Sequence, residues 1–246
     1  LAEDKIDIKS LDFMELQELL ESMGEKKFRS KQLYDWIHKN LVLSFDEMTN
    51  LSKDMRKKLA DTCTIEGARI IKKQVSSDGT AKFLMRLSDG NTVESVLMKY
   101  KHGNSVCIST QVGCRMGCRF CASTVGGLIR SLKTSEMLDQ IYTIQKISGE
   151  RVDNVVVMGS GEPMDNFDNI IRFLSLLNSE QGLNISARNI TVSTCGIVPK
   201  IIEMADKKLQ ITLAISLHAP NDELRKTMMP IANKYSIEEI MEACRY

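Results

Sequence analysis

The sequence has 246 residues, 43% of them hydrophobic, and its 33 basic and 32 acidic side chains leave a formal net charge of +1. This length fits one large domain, or a large domain with a small appendage. There is no run of about 18 apolar residues and no charged-then-apolar leader, so neither a membrane span nor a signal peptide is predicted. Seven cysteines, an odd number, fit a reducing cytosol better than a disulfide framework, and we expect a cytoplasmic protein.

Residues 1–65 are predicted to form a small helical domain. Apolar residues recur at helical spacing after Ser10, a suitable N-cap, and further helices are predicted over about residues 30–37 and over Lys53–Thr62. Nine basic residues stand against four acidic ones over residues 26–58, which makes the domain a candidate RNA-contacting surface. Solvated helix faces also produce such counts, so that alternative stays open.

Residues 66–102 are predicted to be a β-hairpin extension or linker. Two runs of strand-like composition, Lys82–Leu87 and Thr92–Met98, flank the turn sequence Ser88–Asn91. On the second run, alternation places Glu94 on one face together with apolar residues, which predicts a buried carboxylate. A buried carboxylate is suited to act as a general base.

From residue 103 onwards the pattern changes to strand–loop–helix. We predict four strands and three intervening helices: strands Val106–Thr110, Val155–Met158, Ile190–Val192 and Ile211–Ser216, and helices Thr134–Ile147, Asp168–Ser179 and Val198–Ala205. This alternation predicts an α/β fold with a parallel sheet and right-handed crossovers. Because the sequence stops at Tyr246 inside a helical pattern, we expect it to be a fragment.

Three cysteines, Cys114, Cys118 and Cys121, follow the first of these strands at spacings of four and three residues. Thiolates suit either an iron–sulfur cluster or zinc. A structural zinc site needs a fourth ligand, and none stands at zinc-finger spacing, since His102 precedes the strand. Three thiolates can instead bind three irons of a cubane cluster and leave the fourth iron open for S-adenosylmethionine. The cluster is therefore favoured, and zinc remains the alternative.

The segment from Lys99 to Lys133, which contains the cysteine loop, carries six basic residues and no acidic residue. This predicts a positive potential at the mouth of the site. The charges are suited either to offset the thiolates and sulfides or to attract a polyanionic substrate.

Polar motifs also follow the other predicted strands, where the chemistry of parallel α/β folds gathers. They are Met158–Pro163, Ser193–Gly196 and Ser216–Asn221. The glycines of the first motif allow close approach of a ligand, and Glu162 beside them can accept a hydrogen bond from an ammonium or hydroxyl group. His218 lies at a strand end, which makes it a candidate site residue, although a lone histidine is often structural.

Taken together, these motifs closely resemble the radical S-adenosylmethionine (radical SAM) enzymes, and within them the RNA adenine-C2 methyltransferases. The resemblance rests on Val93–Ser95, Cys107–Cys114, the cysteine loop, Gly159–Pro163, Ser193–Thr194 and Ser216–Asn221, and on Phe28–Leu33 in the helical domain. It implies that residues 103–246 form a partial (β/α) radical-SAM barrel, incomplete at its C-terminus. This core is preceded by the helical domain and the hairpin extension.

The resemblance also implies a role for each matching residue. Cys114, Cys118 and Cys121 would bind a [4Fe–4S] cluster. Six residues would bind S-adenosylmethionine: Gly161, Glu162, Ser193, Ser216, Leu217 and His218. Glu94 matches the proposed proton acceptor, and Cys107 matches the cysteine that closes a disulfide bond when product is released.

The implied activity is methylation of adenine C2 in 23S rRNA and in tRNA through a methyl group carried on a cysteine. The implied partners are these RNAs and an electron donor such as flavodoxin or ferredoxin, for a monomeric enzyme without membrane contact. The family's methyl-carrying cysteine lies beyond Tyr246, because neither Cys195 nor Cys244 matches its motif. We therefore expect this stretch by itself to lack full catalysis.

Three alternative functions remain open on the sequence. The related C8-adenine rRNA methyltransferases typically have alanine where this chain has Pro163, which favours C2. Another radical SAM enzyme, such as a sulfur inserter or a glycyl-radical activase, fits the helical domain and the acid-free segment less well. A zinc-binding RNA module without catalytic activity is the third alternative.

Overall fold

A small helical unit precedes the sheet in the structure, a computed structural model that describes residues 5–246. Its elements are strand β1 (Ile6–Asp7), helices α1 (Phe13–Ser22), α2 (Phe28–His38) and α3 (Lys53–Thr62), and strand β2 (Cys63–Thr64). The two short strands pair in parallel, and the helices enclose an apolar core of their own. Residues 1–4 of the predicted helical domain lie outside the described residues.

The N-cap of helix α1 lies two residues after the predicted one. Asp12 is the cap: its carboxylate accepts hydrogen bonds from the backbone N–H groups of Met14 and Glu15, and the Glu15 carboxylate accepts one from the N–H of Asp12. The prediction of Ser10 was wrong because its hydroxyl donates to Asp7, 2.7 Å away, and so does not cap the helix. Helix α3 has the predicted bounds.

The remaining elements build one mixed sheet and the helices around it. They are β3 (Arg69–Val75), β4 (Ala81–Arg86), β5 (Thr92–Tyr100), β6 (Gly103–Cys107), β7 (Gln111–Gly113), β8 (Leu128–Ser131), α4 (Thr134–Ser148), β9 (Asn154–Val157), α5 (Phe167–Asn178), β10 (Ile190–Thr194), α6 (Val198–Asp206), β11 (Thr212–Ile215), α7 (Asp222–Met228) and α8 (Ile237–Arg245). The seven-stranded sheet has the order β11-β10-β9-β6-β5-β4-β3, and β7 and β8 form a separate pair. The predicted α/β fold is confirmed.

The four predicted parallel strands correspond to β6, β9, β10 and β11, which are neighbours in this sheet. The first was predicted three residues too late, at Val106–Thr110, whereas β6 spans Gly103–Cys107. The predicted hairpin, β4 and β5, is also confirmed, and it continues the same sheet because β5 pairs antiparallel with β6. Strand β3, which the sequence did not predict, lies at the edge. Its side chains are nearly all exposed, so they show no alternation of apolar and polar residues. Within residues 5–246 the sheet stays open, with β11 and β3 as its edges.

The two faces of the sheet differ in what covers them. Helices α4 and α5 pack on one face, where the central valines and isoleucines are fully buried. We call the opposite face the open face. It carries six residues that pair across neighbouring strands or alternate along the same strand: Glu94, Val96, Cys107, Val156, Thr191 and Ser193. These side chains are half-buried or exposed. Within residues 5–246, the open face is therefore less covered than the opposite face.

A buried ion pair joins the helical unit to the sheet domain. The Lys9 ammonium, 1% exposed, donates to the Asp139 carboxylate of α4 and to the carbonyl oxygen of Glu66, 2.9 Å away. Removing one partner of such a pair costs about 3–5 kcal/mol, because the other charge remains buried. The two units are therefore held in one arrangement. No helix in the described part of the chain is both long and apolar enough to cross a membrane.

Candidate cofactor site

The cysteine loop leaves β7 at Gly113, whose backbone has a positive φ of 76°. A Cβ atom here would lie 1.9 Å from the carbonyl oxygen of Gly127, which itself accepts a 3.0 Å hydrogen bond from the N–H of Cys114. Only glycine fits this close crossing of two chain segments. The crossing fixes where Cys114 enters the loop.

Three further hydrogen bonds fix the loop. The Cys121 N–H donates to the carbonyl oxygen of Cys118, 3.0 Å away, and the Thr124 hydroxyl donates to the same oxygen. The Arg119 N–H donates to the carbonyl oxygen of Met228 at the end of α7, 2.9 Å away. The loop is thus tied to itself and to the helix that follows the fourth parallel strand.

The Gly159–Glu162 segment crosses directly over the start of β7. The N–H groups of Thr110 and Gln111 donate to the carbonyl oxygen of Ser160, 2.8 and 3.1 Å away. A Cβ atom on Gly161, which has a φ of 104°, would lie 2.6 Å from the Gln111 side chain. The sequence suggested that glycine here allows a ligand to approach closely. In the structure, Gly161 is required because the segment packs closely against β7.

Glu162 is 4% exposed, and its carboxylate joins two strand ends. One oxygen accepts from the N–H of Met164, 3.1 Å away, and the other accepts from the N–H of Cys195, 2.8 Å away. The Glu162 N–H in turn donates to the side chain of Gln111, 2.9 Å away. This carboxylate holds the loops after β9 and β10 at a constant separation.

These loops enclose a cavity of about 300 Å³, a size within the range of small-molecule pockets. All three predicted cluster cysteines line it, and so do five of the six predicted cofactor-binding residues: Gly161, Glu162, Ser193, Ser216 and His218. Leu217 is not in the lining, and its carbonyl oxygen instead accepts from the Arg225 side chain. The cavity thus gathers thiols at the cysteine loop and hydroxyls at the ends of β10 and β11.

Five lining residues are neither predicted ligands nor part of the predicted strand-end motifs: Met116, Phe120, Thr124, Val157 and Met229. The signal for Phe120 was available, because it lies between two of the cysteines. Its ring packs edge-on against the His218 ring at a centroid distance of 4.7 Å. Met229 reaches the cavity only through tertiary packing, where it forms one apolar cluster with Cys118 and Cys195.

The donor set fits an iron–sulfur cluster bound by three thiolates. Burial raises the pKa of the Cys114 and Cys118 thiols, so binding of iron there would release protons. Within residues 5–246, no three His, Cys, Asp or Glu side chains converge to hold a metal ion. A cubane does not require such convergence, because each thiolate binds a different iron.

The predicted excess of positive charge around the loop is smaller than the sequence suggested. Three of the six basic residues form ion pairs with acids outside the segment: Arg115 with Asp165, Arg130 with Asp89 and Glu136, and Lys99 with Glu150. Distant acids, which a linear count omits, offset these charges. In the described part of the chain, Lys101, Arg119 and Lys133 have no such partner.

The two predicted catalytic residues lie on the open face rather than in the cavity lining. Cys107 pairs with Val96 of β5, and its thiol lies within hydrogen-bonding reach of the backbone of Met158, a lining residue. Burial raises the pKa of this thiol. Cys107 therefore lies at the boundary between the cavity and the open face.

Glu94 shares the open face as predicted, but the expectation that it is buried was wrong. Its side chain is 53% exposed and pairs with Lys82, 2.9 Å away. The helices cover the face that carries Val93 and Ser95, so burial follows the other set of residues on β5. The apolar neighbours of Glu94 on its own face are themselves only half-buried.

The seven cysteines are all free thiols, so the predicted disulfide bond is not supported. Cys107, which matches the cysteine that closes a disulfide bond when product is released, has a free thiol in the described residues. Cys244, on α8, is exposed, whereas Cys195 is buried in the cavity wall.

Comparisons with known proteins identify the family of this chain. The radical SAM superfamily model matches residues 108–246, and the model of the ribosomal RNA large subunit methyltransferase N-terminal domain matches residues 6–65. A protein of Lachnospira eligens named "Probable dual-specificity RNA methyltransferase RlmN" is 71% identical over 98% of this chain and 69% of its own length. The chain belongs to the radical SAM dual-specificity RNA methyltransferase family.

Two further proteins support the same assignment. The protein of the same name from Lachnoclostridium phytofermentans is 61% identical over 99% of this chain and 68% of its own length. The crystal structure of a radical SAM methyltransferase from Sphaerobacter thermophilus is 39% identical and has a TM-score of 0.92. It covers 98% of this chain and 72% of the other. Membership of the family implies a [4Fe–4S] cluster and S-adenosylmethionine as cofactors.

We expect that replacing Cys114, Cys118 or Cys121 by alanine abolishes cluster assembly, because three thiolates leave no spare ligand. The measurement is anaerobic reconstitution followed by iron analysis and visible absorption spectroscopy. Cys195→Ala is the matched control, since this buried thiol lines the same cavity without being a predicted ligand. Loss of the cluster in the control, or its retention at about four irons in any of the three variants, would contradict the ligand set.

Proposed function

We propose that this methyltransferase methylates C2 of adenine in 23S rRNA and in tRNA, through a methyl group carried on a cysteine. Cys114, Cys118 and Cys121 hold the cluster, and Gly161, Glu162, Ser193, Ser216, Leu217 and His218 hold S-adenosylmethionine. The observation that carries the proposal is the position of Glu94 and Cys107. A carboxylate and a thiol lie together on the open face, beside the cavity that gathers the three cysteines.

The bound cluster and S-adenosylmethionine supply one-electron chemistry and the methyl group. An electron donor of the flavodoxin or ferredoxin class supplies the electron, and the enzyme acts as a monomer. The polypeptide has three tasks: it binds the cofactor in the cavity, presents the adenine on the open face and moves a proton. These tasks fall to different residues, so they can be tested separately.

Glu94 is the proposed acceptor of the C2 proton. Its exposure on the open face places the carboxylate where a base delivered by RNA can reach it, and the Lys82 ion pair restricts its position. The carbonyl oxygen of Glu94 also accepts from the Ser109 hydroxyl, 2.7 Å away, which fixes the backbone of β5 at this point. The proposed role of Glu94 is thus supported by its accessibility to the substrate and not by burial.

Cys107 is the proposed thiol that releases the product. Cys107 lies on the strand next to that of Glu94, and its pairing partner, Val96, is two residues after Glu94 on β5. Diagonal neighbours of this kind are about 7–8 Å apart, a separation that one base can span. A proton acceptor and a thiol nucleophile at this separation are what release of a C2 adduct requires.

We expect the full-length enzyme to methylate adenine at C2, and Glu94→Gln to lose RNA methylation while it keeps S-adenosylmethionine cleavage. Glutamine is nearly isosteric with glutamate but cannot take the proton. The measurements are mass spectrometry of nucleosides from rRNA and tRNA, and chromatography of the cleaved cofactor.

Lys82→Gln is the control for this variant, because it breaks the same ion pair and leaves the carboxylate. It should retain most of the activity, since an exposed ion pair contributes about 0–1 kcal/mol. Methylation at C8 in place of C2, or a wild-type rate for Glu94→Gln, would contradict the proposal.

We expect Cys107→Ala in the full-length enzyme to assemble its cluster normally and to accumulate a covalent protein–RNA adduct. Without this thiol, nothing attacks the linkage between the methyl-carrying cysteine and the RNA. The measurement is denaturing gel electrophoresis with labelled RNA, together with iron analysis. Cys244→Ala, which removes an exposed thiol on α8, should form no adduct. Multiple turnovers by Cys107→Ala would exclude the releasing role.

The helical unit offers a site for the RNA backbone. This unit contains a cavity of about 810 Å³, which we call the basic cavity. Its lining includes four basic residues: Lys5, Lys53, Arg56 and Lys57. Arg56 donates to the carbonyl oxygen of Asp46, 2.9 Å away, and its Nε is buried without a partner in the described chain. Clustered cations with an unused donor suit phosphate groups, and this supports RNA binding by the helical unit.

We expect Lys57→Gln to weaken binding of rRNA and tRNA fragments and to lower the slope of log affinity against log salt by about 1, the effect of one lost phosphate contact. Binding measured by fluorescence anisotropy at several salt concentrations would show this. Lys31→Gln is the matched control, because Lys31 is exposed on the same unit but pairs with Asp35 outside the basic cavity. Equal salt slopes for the two variants would exclude the basic cavity as a phosphate site.

A further inference from the structure

Arg225, on the short helix α7, is fully buried, with no exposed surface. Its Nη2 donates to the carbonyl oxygen of Cys195, 2.6 Å away, and its Nε donates to the carbonyl oxygen of Leu217, 3.2 Å away. These carbonyls follow β10 and β11, so the guanidinium group joins the ends of two neighbouring strands. Its Nη1 is buried and has no hydrogen-bond partner within residues 5–246.

The positive charge of Arg225 also lacks a carboxylate partner among the described residues. Its hydrogen bonds go to neutral carbonyl oxygens, and Asp222, one turn earlier, accepts instead from the N–H of Ile237, 2.8 Å away. A buried cation without a counter-charge is costly, and buried arginines are normally paired. Burial accordingly lowers the pKa of Arg225. Within residues 5–246 no carboxylate contacts the guanidinium group and the charge of Asp222 offsets its burial only in part, so a further anion nearby would stabilise the cation.

The surroundings of Arg225 indicate where that anion belongs. Its own carbonyl oxygen accepts from the N–H of Met229, which packs with Cys118 and Cys195 in one apolar cluster at the cavity wall. A thiolate at Cys118, as a cluster ligand would be, favours the guanidinium cation. Arg225 thus lies behind the cavity wall, within electrostatic range of a predicted cluster ligand.

We infer that Arg225 is the buried counter-charge of the iron–sulfur cluster and that it raises the reduction potential of the cluster. The inference rests on the proposed placement of the cluster at Cys114, Cys118 and Cys121. A [4Fe–4S]²⁺ core with three thiolates is net negative, and reduction by one electron adds a further negative charge. A cation held nearby, away from water, favours the reduced form. Arg225 is thus a positioning residue that also makes the cluster easier to reduce.

The test is the reduction potential of the reconstituted cluster in Arg225→Gln and Arg225→Lys, without S-adenosylmethionine. Dithionite supplies the single electron, and the electron paramagnetic resonance signal of the reduced cluster is followed against applied potential. Loss of the charge in Arg225→Gln should shift the reduction equilibrium about tenfold towards the oxidised form. For one electron, this lowers the reduction potential by about 59 mV. Arg225→Lys, which keeps the charge, should restore most of that shift.

Arg119→Gln is the matched control, because it removes one positive charge beside Cys118 on an exposed part of the same loop. Solvent screens that charge, so its loss should move the potential less than the loss of Arg225. Equal potentials in wild type and Arg225→Gln, or equal shifts in Arg225→Gln and Arg119→Gln, would overturn the inference. If either Arg225 variant unfolded before iron is added, the role of Arg225 would be purely structural, and this result would also overturn the inference. Failure of the wild type to assemble a cluster would instead reject the proposed function.

Discussion

The site depends on the register of four parallel strands. Strands β6, β9, β10 and β11 are in parallel alignment, so the segments that follow them emerge at one edge of the sheet. The cysteine loop, the Gly159–Glu162 segment and the residues after β10 and β11 are far apart in the sequence and meet there. A shift of one residue in any pairing would turn alternate side chains to the other face and separate these groups.

Two buried charged groups hold that edge together. The Glu162 carboxylate accepts from the backbone after β10, and the Arg225 guanidinium donates to the backbone after β10 and after β11. Both groups contact the backbone of Cys195, so the same short segment is fixed from two sides. Charged groups of this kind are costly to bury, and their hydrogen bonds leave little freedom to the loops that line the cavity.

The sheet also separates the tasks of the enzyme. Helices cover one face over the central strands, whereas Glu94 and Cys107 lie on the open face. The cavity closes the carboxyl edge beside that face, and Met158 contacts both regions. An adenine on the open face would therefore meet the cofactor at its edge. The ion pair of Lys9 and Asp139 keeps the helical unit, with its basic cavity, fixed to the helix behind the sheet.

The sequence by itself determined the strand–helix alternation, the cysteine loop and the motifs at the strand ends, because periodicity and spacing are local properties. It did not determine the exposure of Glu94, since alternation shows which residues share a face but not which face the helices cover. Nor did it identify Arg225 as a buried group behind the cavity wall, because a lone arginine carries no local signal. Only the tertiary structure decided these points, since burial and ion pairing depend on contacts between residues that are distant in the chain.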